Sequence, residues 1–275
     1  MNRDFQLPAG AIGPGSQPTS TDGVELDYMT MPGDMRTYAP HVPMVTSGAA
    51  LAPAMTMMET IATAAARVAD RGGAEVFDLA GLDTANRRLV AETLGEGEVA
   101  MKLRGVPALA VQESVFAGIW CVTGHGVDRI EVARVPEAAG NRAFAPVADR
   151  RPVEAGRGVV NAPALLAELE DKSASFDGDL HVINLSLLPH TEEDLAWLEA
   201  RLGQGSTDVL SRGYGNCRIR ATATPQVWRV QFFNSVDTLI LDTFEVTDVP
   251  DVAVAAPEDL ADSARRLTEV LEAIR

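Results

Sequence analysis

The sequence predicts an α+β fold: two pseudo-symmetric β-α-β-β-β repeats in a mostly antiparallel sheet, with helices on one face and an irregular N-terminal arm ahead of them. Three observations carry this reading. The first is an internal repeat. Leu94-Gly-Glu-Gly97 matches Leu202-Gly-Gln-Gly205, Arg104-Gly105 matches Arg212-Gly213, and Trp120-Cys-Val122 matches Trp228-Arg-Val230, each pair 108 residues apart. Glu131-Val-Ala-Arg-Val-Pro136 then matches Glu245-Val-Thr-Asp-Val-Pro250 at 114, so the second copy carries a small insertion. Two copies are too few for a solenoid and suit two halves of one fold. The second observation is a shared order of elements: a short apolar strand, a capped helix, then three strands. The third is that connections after each helix are short, which favours antiparallel neighbours.

Taken in order, residues 1–50 are rich in Gly, Pro, Ser, Thr and Met without a sustained period, so they read as an irregular arm. Leu26 to Pro32 is the arm's most apolar patch. The first repeat spans 51–136. Pro53 suits the first turn of a helix over Ala52 to Arg71. Met57, Met58, Ile61, Ala65 and Val68 fall at helical spacing, and Gly72-Gly73 stops the run. A strand over Ala74 to Leu79 leads to a helix capped by Asp83, with Leu89, Val90 and Leu94 inward. Val99, Met101 and Leu103 alternate with smaller or polar residues, as a half-buried strand does. Middle and last strands follow at Val111 to Val122 and Arg129 to Val135.

Residues 137–160, rich in Ala, Gly, Pro and Arg, read as a connector. The second repeat spans 161–275. Its helix over Ala162 to Lys172 parallels the Met-rich helix, and its first strand is read over His181 to Leu188. Thr191 and Asp194 form a capping-box pattern, Leu195, Leu198 and Leu202 share a face, and Gly203 sits at the C′ position. The middle strand is read over Cys217 to Phe232 and the last over Thr238 to Val246. A final helix from Pro257 has an apolar stripe of Leu260, Leu267, Leu271 and Ile274.

Composition removes several functions. A net charge of −16 opposes binding to nucleic acid and to anionic membrane surfaces. It is compatible with attracting a basic partner. Two cysteines, Cys121 and Cys217, exclude a disulfide framework and a Cys₄ site within one chain. The N-terminus lacks the layout of a signal peptide, and no apolar run reaches roughly 18 residues. A cytoplasmic location is expected.

Catalytic signatures are weak. No G-x-S-x-G surrounds Ser211 or Cys217, and none of His41, His125, His181 or His190 sits in a motif with a nucleophile. There is no C-x-x-C and no H-E-x-x-H, so no metal and no cofactor is expected. Arg212, Arg218 and Arg220 would favour a thiolate at Cys217, although a buried strand cysteine is the plainer reading. Gly203-Gln-Gly205 and Gly213-Tyr-Gly215 are not phosphate loops.

A polar set on the sheet remains: Gln112, Glu113 and Ser114 in a middle strand, Arg212, Tyr214, Asn216 and Cys217 in a Gly-rich turn, then Trp228, Asn234 and Asp237. Trp120 and Trp228, at equivalent places, suit either interface anchors or core keystones, and repetition favours the core. Arg212-Gly213 recurs in copy one, whereas Tyr214 to Cys217 stands against an unlike Val106-Pro-Ala-Leu109. The expected partner-binding residues are Arg212, Tyr214, Asn216, Cys217, Gln112, Glu113, Trp228 and Asn234, and a function carried by this turn should reside in Tyr214 to Cys217.

Several stretches resemble a known family. They are Leu94 to Val99, Val111-Gln-Glu-Ser-Val-Phe-Ala-Gly-Ile-Trp120, Ile183 to Leu188, Leu210-Ser-Arg-Gly-Tyr-Gly-Asn-Cys-Arg-Ile219, Phe233 to Leu241 and Glu245 to Pro250. Together they resemble the hydrogenase expression/formation proteins of the HupH/HyaF/HoxQ type, from about residue 24 onward. The resemblance implies a non-catalytic accessory protein for maturation of an uptake nickel–iron hydrogenase. Its implied partner is the hydrogenase small subunit precursor, held before cluster assembly and export, with other hydrogenase accessory proteins as further candidates. A second reading is iron–sulfur or metal delivery through Cys217.

Overall fold

The computed structural model describes residues 49–148, 153–213 and 215–274. The arm read over 1–48, its Leu26–Pro32 patch included, and Tyr214 lie outside the described residues.

The first half opens with α1 (Ala52–Arg71). Pro53 occupies its first turn, Met58, Ile61, Ala65 and Val68 are buried, and Gly72 at φ 70° ends it. After β1 (Ala74–Asp78), the Asp83 carboxylate accepts the Asn86 N–H and starts α2 (Thr84–Leu94). Strands β2 (Val99–Leu103), β3 (Leu109–Glu113), β4 (Ile119–Gly124) and β5 (Val127–Ala133) follow. The second half holds α3 (Glu137–Asn141), α4 (Ala162–Ala174), β6 (His181–Asn184), α5 (Glu192–Leu202), β7 (Gln204–Ser211), β8 (Asn216–Thr222), β9 (Val227–Phe233), β10 (Leu239–Val246) and α6 (Pro257–Ile274). The expected capping box at α5 is complete, with Thr191 and Asp194 serving each other's backbone N–H.

Each half has one strand more than the sequence reading. The run read as one middle strand folds back on itself in both copies. Ser114 Oγ accepts the Phe116 N–H at 3.1 Å, and the equivalent Thr222 Oγ1 accepts the Thr224 N–H at 3.1 Å. These hydroxyls offer the backbone a local partner in place of the ladder and turn the chain. The first strand of the second half is also shorter than expected. Asn184 accepts the Ser186 N–H, and a 3₁₀ turn over Leu185–Leu187 takes the chain off the sheet.

All ten strands form one antiparallel sheet in the order β1-β5-β4-β3-β2-β7-β8-β9-β10-β6. The two halves are joined edge to edge through β2 and β7. Val99 faces Ser211, Met101 faces Val209 and Leu103 faces Thr207. Residues 108 apart are repeat equivalents, so Met101 pairs with its own counterpart and the pseudo-two-fold axis passes through that pair. The backbone obeys the same symmetry. Arg104 N–H donates to Ser206 O at 2.8 Å, and Arg212 N–H to Glu98 O at 3.1 Å.

On one face, Ile119, Ile130 and Val132 pack beneath α1, α2 and α6, while Ile183, Val227 and Phe244 pack beneath α4 and α5. The sequence assigns α6 to the second repeat. Instead it returns to the first, where Leu260, Leu267 and Leu271 share a core with α1. On the other face, Met101, Val111, Trp120, Val209, Cys217, Ile219 and Trp228 form a core across the seam, closed by α3 and Ala253. The segment read as a connector therefore covers the seam. Thr207 Oγ1 donates to Ala139 O at 3.0 Å, and Ser206 N–H to Ala143 O at 2.7 Å.

Trp120 and Trp228 are both fully buried. The Trp120 indole N–H donates to Ala133 O at 2.8 Å, and that of Trp228 to the Thr247 and Asp248 carbonyls at 3.1 and 3.2 Å. They are paired core keystones. Trp228→Ala should cost about 3–5 kcal/mol of stability through the cavity it leaves. Trp228→Phe should cost about 1–3 kcal/mol, from lost volume and an unmet carbonyl. Urea midpoints at constant m-value measure both.

Candidate functional site

Antiparallel register brings the ends of six strands to one end of the sheet. Glu113 closes β3, Val99 opens β2, Ser211 closes β7, Asn216 opens β8, Phe233 closes β9 and Leu239 opens β10. Gln112, Glu113, Arg212, Asn216, Cys217 and Asn234 all lie along this end. Trp228 does not. It stands five residues down β9 from Phe233, about 16 Å away at strand rise. Its burial leaves it no surface to offer a partner, which corrects its place in the expected set.

Most polar members spend their hydrogen bonds on the chain itself. The half-buried Gln112 amide donates to the carbonyls of Gly97, Val99 and Glu113 at 3.2, 3.2 and 3.0 Å. Asn234 Oδ1 accepts the Val236 and Thr238 N–H groups at 3.0 and 2.9 Å, fixing the turn between β9 and β10. Asn216 is half-buried opposite Phe233. Gly215, at φ 104°, takes a backbone shape that a side chain would strain. Gly213 lies so close to Glu98 that a Cβ there would stand 2.3 Å from its carboxylate oxygen.

Arg212 behaves differently. Its repeat equivalent, Arg104, is paired with Asp208 across the seam. The position equivalent to Asp208 is Ala100, which has no charge to offer. Arg212 is exposed and makes no ion pair among the described residues. Nearby, Arg218 stacks on Phe233 at 4.3 Å from the ring centre and pairs with Asp237 at 3.2 Å.

Two groups at this end are electrostatically unusual. Glu113 is 8% exposed and accepts the Gly118 N–H at 3.1 Å. Burial pushes its carboxyl up to about 7, aided by the carboxylates of Glu98 and Asp259 and opposed by that hydrogen bond. Cys217 points into the seam core, 3% exposed, and burial together with Glu245 pushes its thiol up to about 12. A thiol so placed is a poor nucleophile and a poor metal ligand. Among the described residues, no three His, Cys, Asp or Glu side chains converge to hold a metal ion. Two clefts, one lined by Glu199, Arg220 and Arg229 and one by Lys102, Arg104 and Thr123, do not reach Cys217.

Sequence reasoning missed Glu98 and the apolar residues of the hairpin joining β9 and β10, and gave Arg218 only an electrostatic role beside Cys217. The signal for the last was present. Spacing between repeats changes from 108 at Trp120 and Trp228 to 114 at Glu131 and Glu245, so the β9–β10 hairpin has six extra residues, shared between its turn and its strand ends. The first half makes the same connection with His125 and Gly126 alone.

The family model for the HupH hydrogenase expression protein, C-terminal conserved region, matches residues 51–144 and 159–274. This chain belongs to the HupH family. The two matched stretches contain β1 to β5 and β6 to β10 respectively. The hydrogenase expression/formation protein HupH of Rhodobacter capsulatus is 60% identical over 278 residues, covering 100% of both chains. The hydrogenase expression/formation protein HoxQ of Cupriavidus necator is 43% identical, covering 98% of this chain and 97% of its own. The hydrogenase-1 operon protein HyaF of Escherichia coli is 32% identical over 71% of this chain and 72% of its own. As a HupH-family member, the protein is a hydrogenase expression/formation accessory protein. No helix among the described residues is long and apolar enough to cross a membrane.

Two outcomes follow. The folded chain holds the Glu113 proton more tightly than the unfolded chain, so the associated stability is full at pH 4 and is lost as pH rises to about 7. Glu113→Gln keeps an acceptor for Gly118 and should flatten that part of the stability–pH curve, read by urea titration between pH 4 and 8. At pH 8, iodoacetamide should alkylate Cys217 in the native protein at least about a hundredfold more slowly than in the unfolded chain.

Proposed function

We propose that this protein is a non-catalytic chaperone or scaffold that holds the iron–sulfur small-subunit precursor of an uptake nickel–iron hydrogenase before export. The observation that carries this reading is membership of the HupH family over nearly the whole chain, with a full-length relative 60% identical. The geometry supports binding rather than catalysis. Gln112, Glu113 and Asn234 are engaged in fixing strand ends, and the Cys217 thiol is buried in the seam. What faces solvent is Arg212 together with an exposed hairpin, a suitable surface for another polypeptide. The net charge of −16 favours a client bearing basic residues.

The partner-binding set reduces to Arg212, Asn216 and the neighbouring hairpin, with Gln112, Glu113 and Asn234 shaping that surface from behind. Tyr214 belongs to the same turn by sequence. The delivery alternative needs Cys217 to reach a metal as thiolate, which its burial opposes.

Affinity purification of the tagged full-length protein from cells making the hydrogenase should recover the small-subunit precursor. Recovery of the large subunit alone would count against the proposal. Cys217→Ser should leave hydrogenase maturation intact, and a loss of bound iron together with maturation in that variant would revive the delivery reading.

A further inference from the structure

The second half of the sheet ends in an edge that the first half does not have. In the first half, β1 runs beside β5 from Arg129 to Ala133, and the Leu79 N–H continues the ladder to Asp128 O at 3.0 Å. In the second half, β6 covers β10 only from Thr243 to Val246. Ser186 Oγ takes the Asp242 N–H at 2.9 Å, and no strand of the described residues lies beyond it. Among the described residues, Leu239 to Leu241 thus form a length of β10 with no strand on its outer side. Continued, the β6 register would place Leu187 opposite Ile240, but the 3₁₀ turn has already lifted Leu187 away.

This open edge is apolar. Among the described residues, eleven large hydrophobic side chains are exposed. Five of them lie in the six-residue-longer hairpin and in the turn packed against β10: Leu187, Leu188, Val236, Leu239 and Ile240. Leu187 is 80%, Val236 76% and Ile240 61% exposed, which is too much for a core and too concentrated for scattered surface residues. The exposed carboxylates of Glu192 and Glu193 follow Leu188 within five residues, whereas Asp237, three residues before Ile240, is paired with Arg218.

We infer that the outer edge of Leu239–Leu241, with Leu187 and Val236 beside it, docks an extended apolar segment of a client polypeptide as an added strand. This inference rests on the client-binding reading above. Backbone groups left without a strand neighbour give such an edge its affinity, and side-chain contacts give it selectivity. The Glu192 and Glu193 carboxylates favour a segment with basic residues at the end that lies beside them. They also disfavour a second copy of this chain, because two molecules of charge −16 would bring their acidic flanks together. Soluble proteins ordinarily guard such edges with charge. Here no charged side chain stands on Leu239–Leu241, and the irregularity is a register shift against β9 between Leu239 and Leu241.

The test uses the full-length tagged protein in cells making the hydrogenase, with the small-subunit precursor as probe. Ile240→Lys places a charge on the edge. It should lower recovered precursor by about tenfold or more, as loss of a binding anchor does. Val76→Lys, on the opposite edge strand, should leave recovery unchanged. A photoreactive residue at Val236 should cross-link to the precursor. Equal urea midpoints would show that both lysine variants fold. If wild type and Ile240→Lys recover precursor equally and Val236 gives no cross-link, the edge proposal is overturned while the chaperone reading stands. If wild type recovers no precursor, that reading falls. A cross-link from Val236 to an extended apolar segment of another protein would then still support the edge. A cross-link to a second copy of this chain, or to nothing, would overturn it.

Discussion

The structure depends on the antiparallel pairing of β2 with β7. Each half alone would end in an unpaired strand at this point, with its backbone groups open to another chain. The duplication answers one open edge with its own copy, so the contact is self-complementary in the manner of a two-fold dimer interface. Covalent linkage makes it intramolecular, and α3 lies across it. Without the seam, the shared core containing Met101, Val209, Trp120 and Trp228 would have no second half. The return of α6 to pack against α1 ties the end of the chain to its first repeat and reinforces the union.

The proposed client surface lies where symmetry fails. Arg104 has Asp208 and Arg212 has Ala100, so of two equivalent arginines one is neutralised and the other has no ion pair among the described residues. A turn made by His125 and Gly126 in one half becomes a six-residue-longer apolar hairpin in the other. Both departures appear at or beside the same end of the sheet. A fold duplicated for stability has two equivalent sites to diverge, and only the second half has built a surface that its own core does not need.

The buried polar groups serve this surface without forming it. Glu113 holds the Gly118 turn against Leu260 of α6, and a side chain on Gly118 would collide with that leucine. Gln112 and Asn234 fix strand ends to the left and right of the Gly-rich turn. Cys217, the residue of that turn most suggestive of chemistry, points into the core because it is the first inward position of β8.

Much was legible in the sequence. The helix over Ala52–Arg71 and the Asp83 and Thr191 caps rest on local patterns, because caps and periodicity act within one element, and the repeat is plain from self-similarity, whereas Trp228 was expected at a partner surface and is buried. The insertion was legible as a change in spacing. Other features needed the tertiary structure. Ser114 and Thr222 turn the chain by local hydrogen bonds inside apolar runs that read as continuous strands. Asn184 ends a strand whose sequence continues to look like one. The joining of β2 to β7, the placement of α6 on the first half and the inward direction of Cys217 depend on pairings across more than a hundred residues or on the face a strand presents. Hydrophobic pattern shows that a strand has a buried side; which strand lies beside it, and so which residues are left for a partner, is decided only when the sheet closes on its own copy.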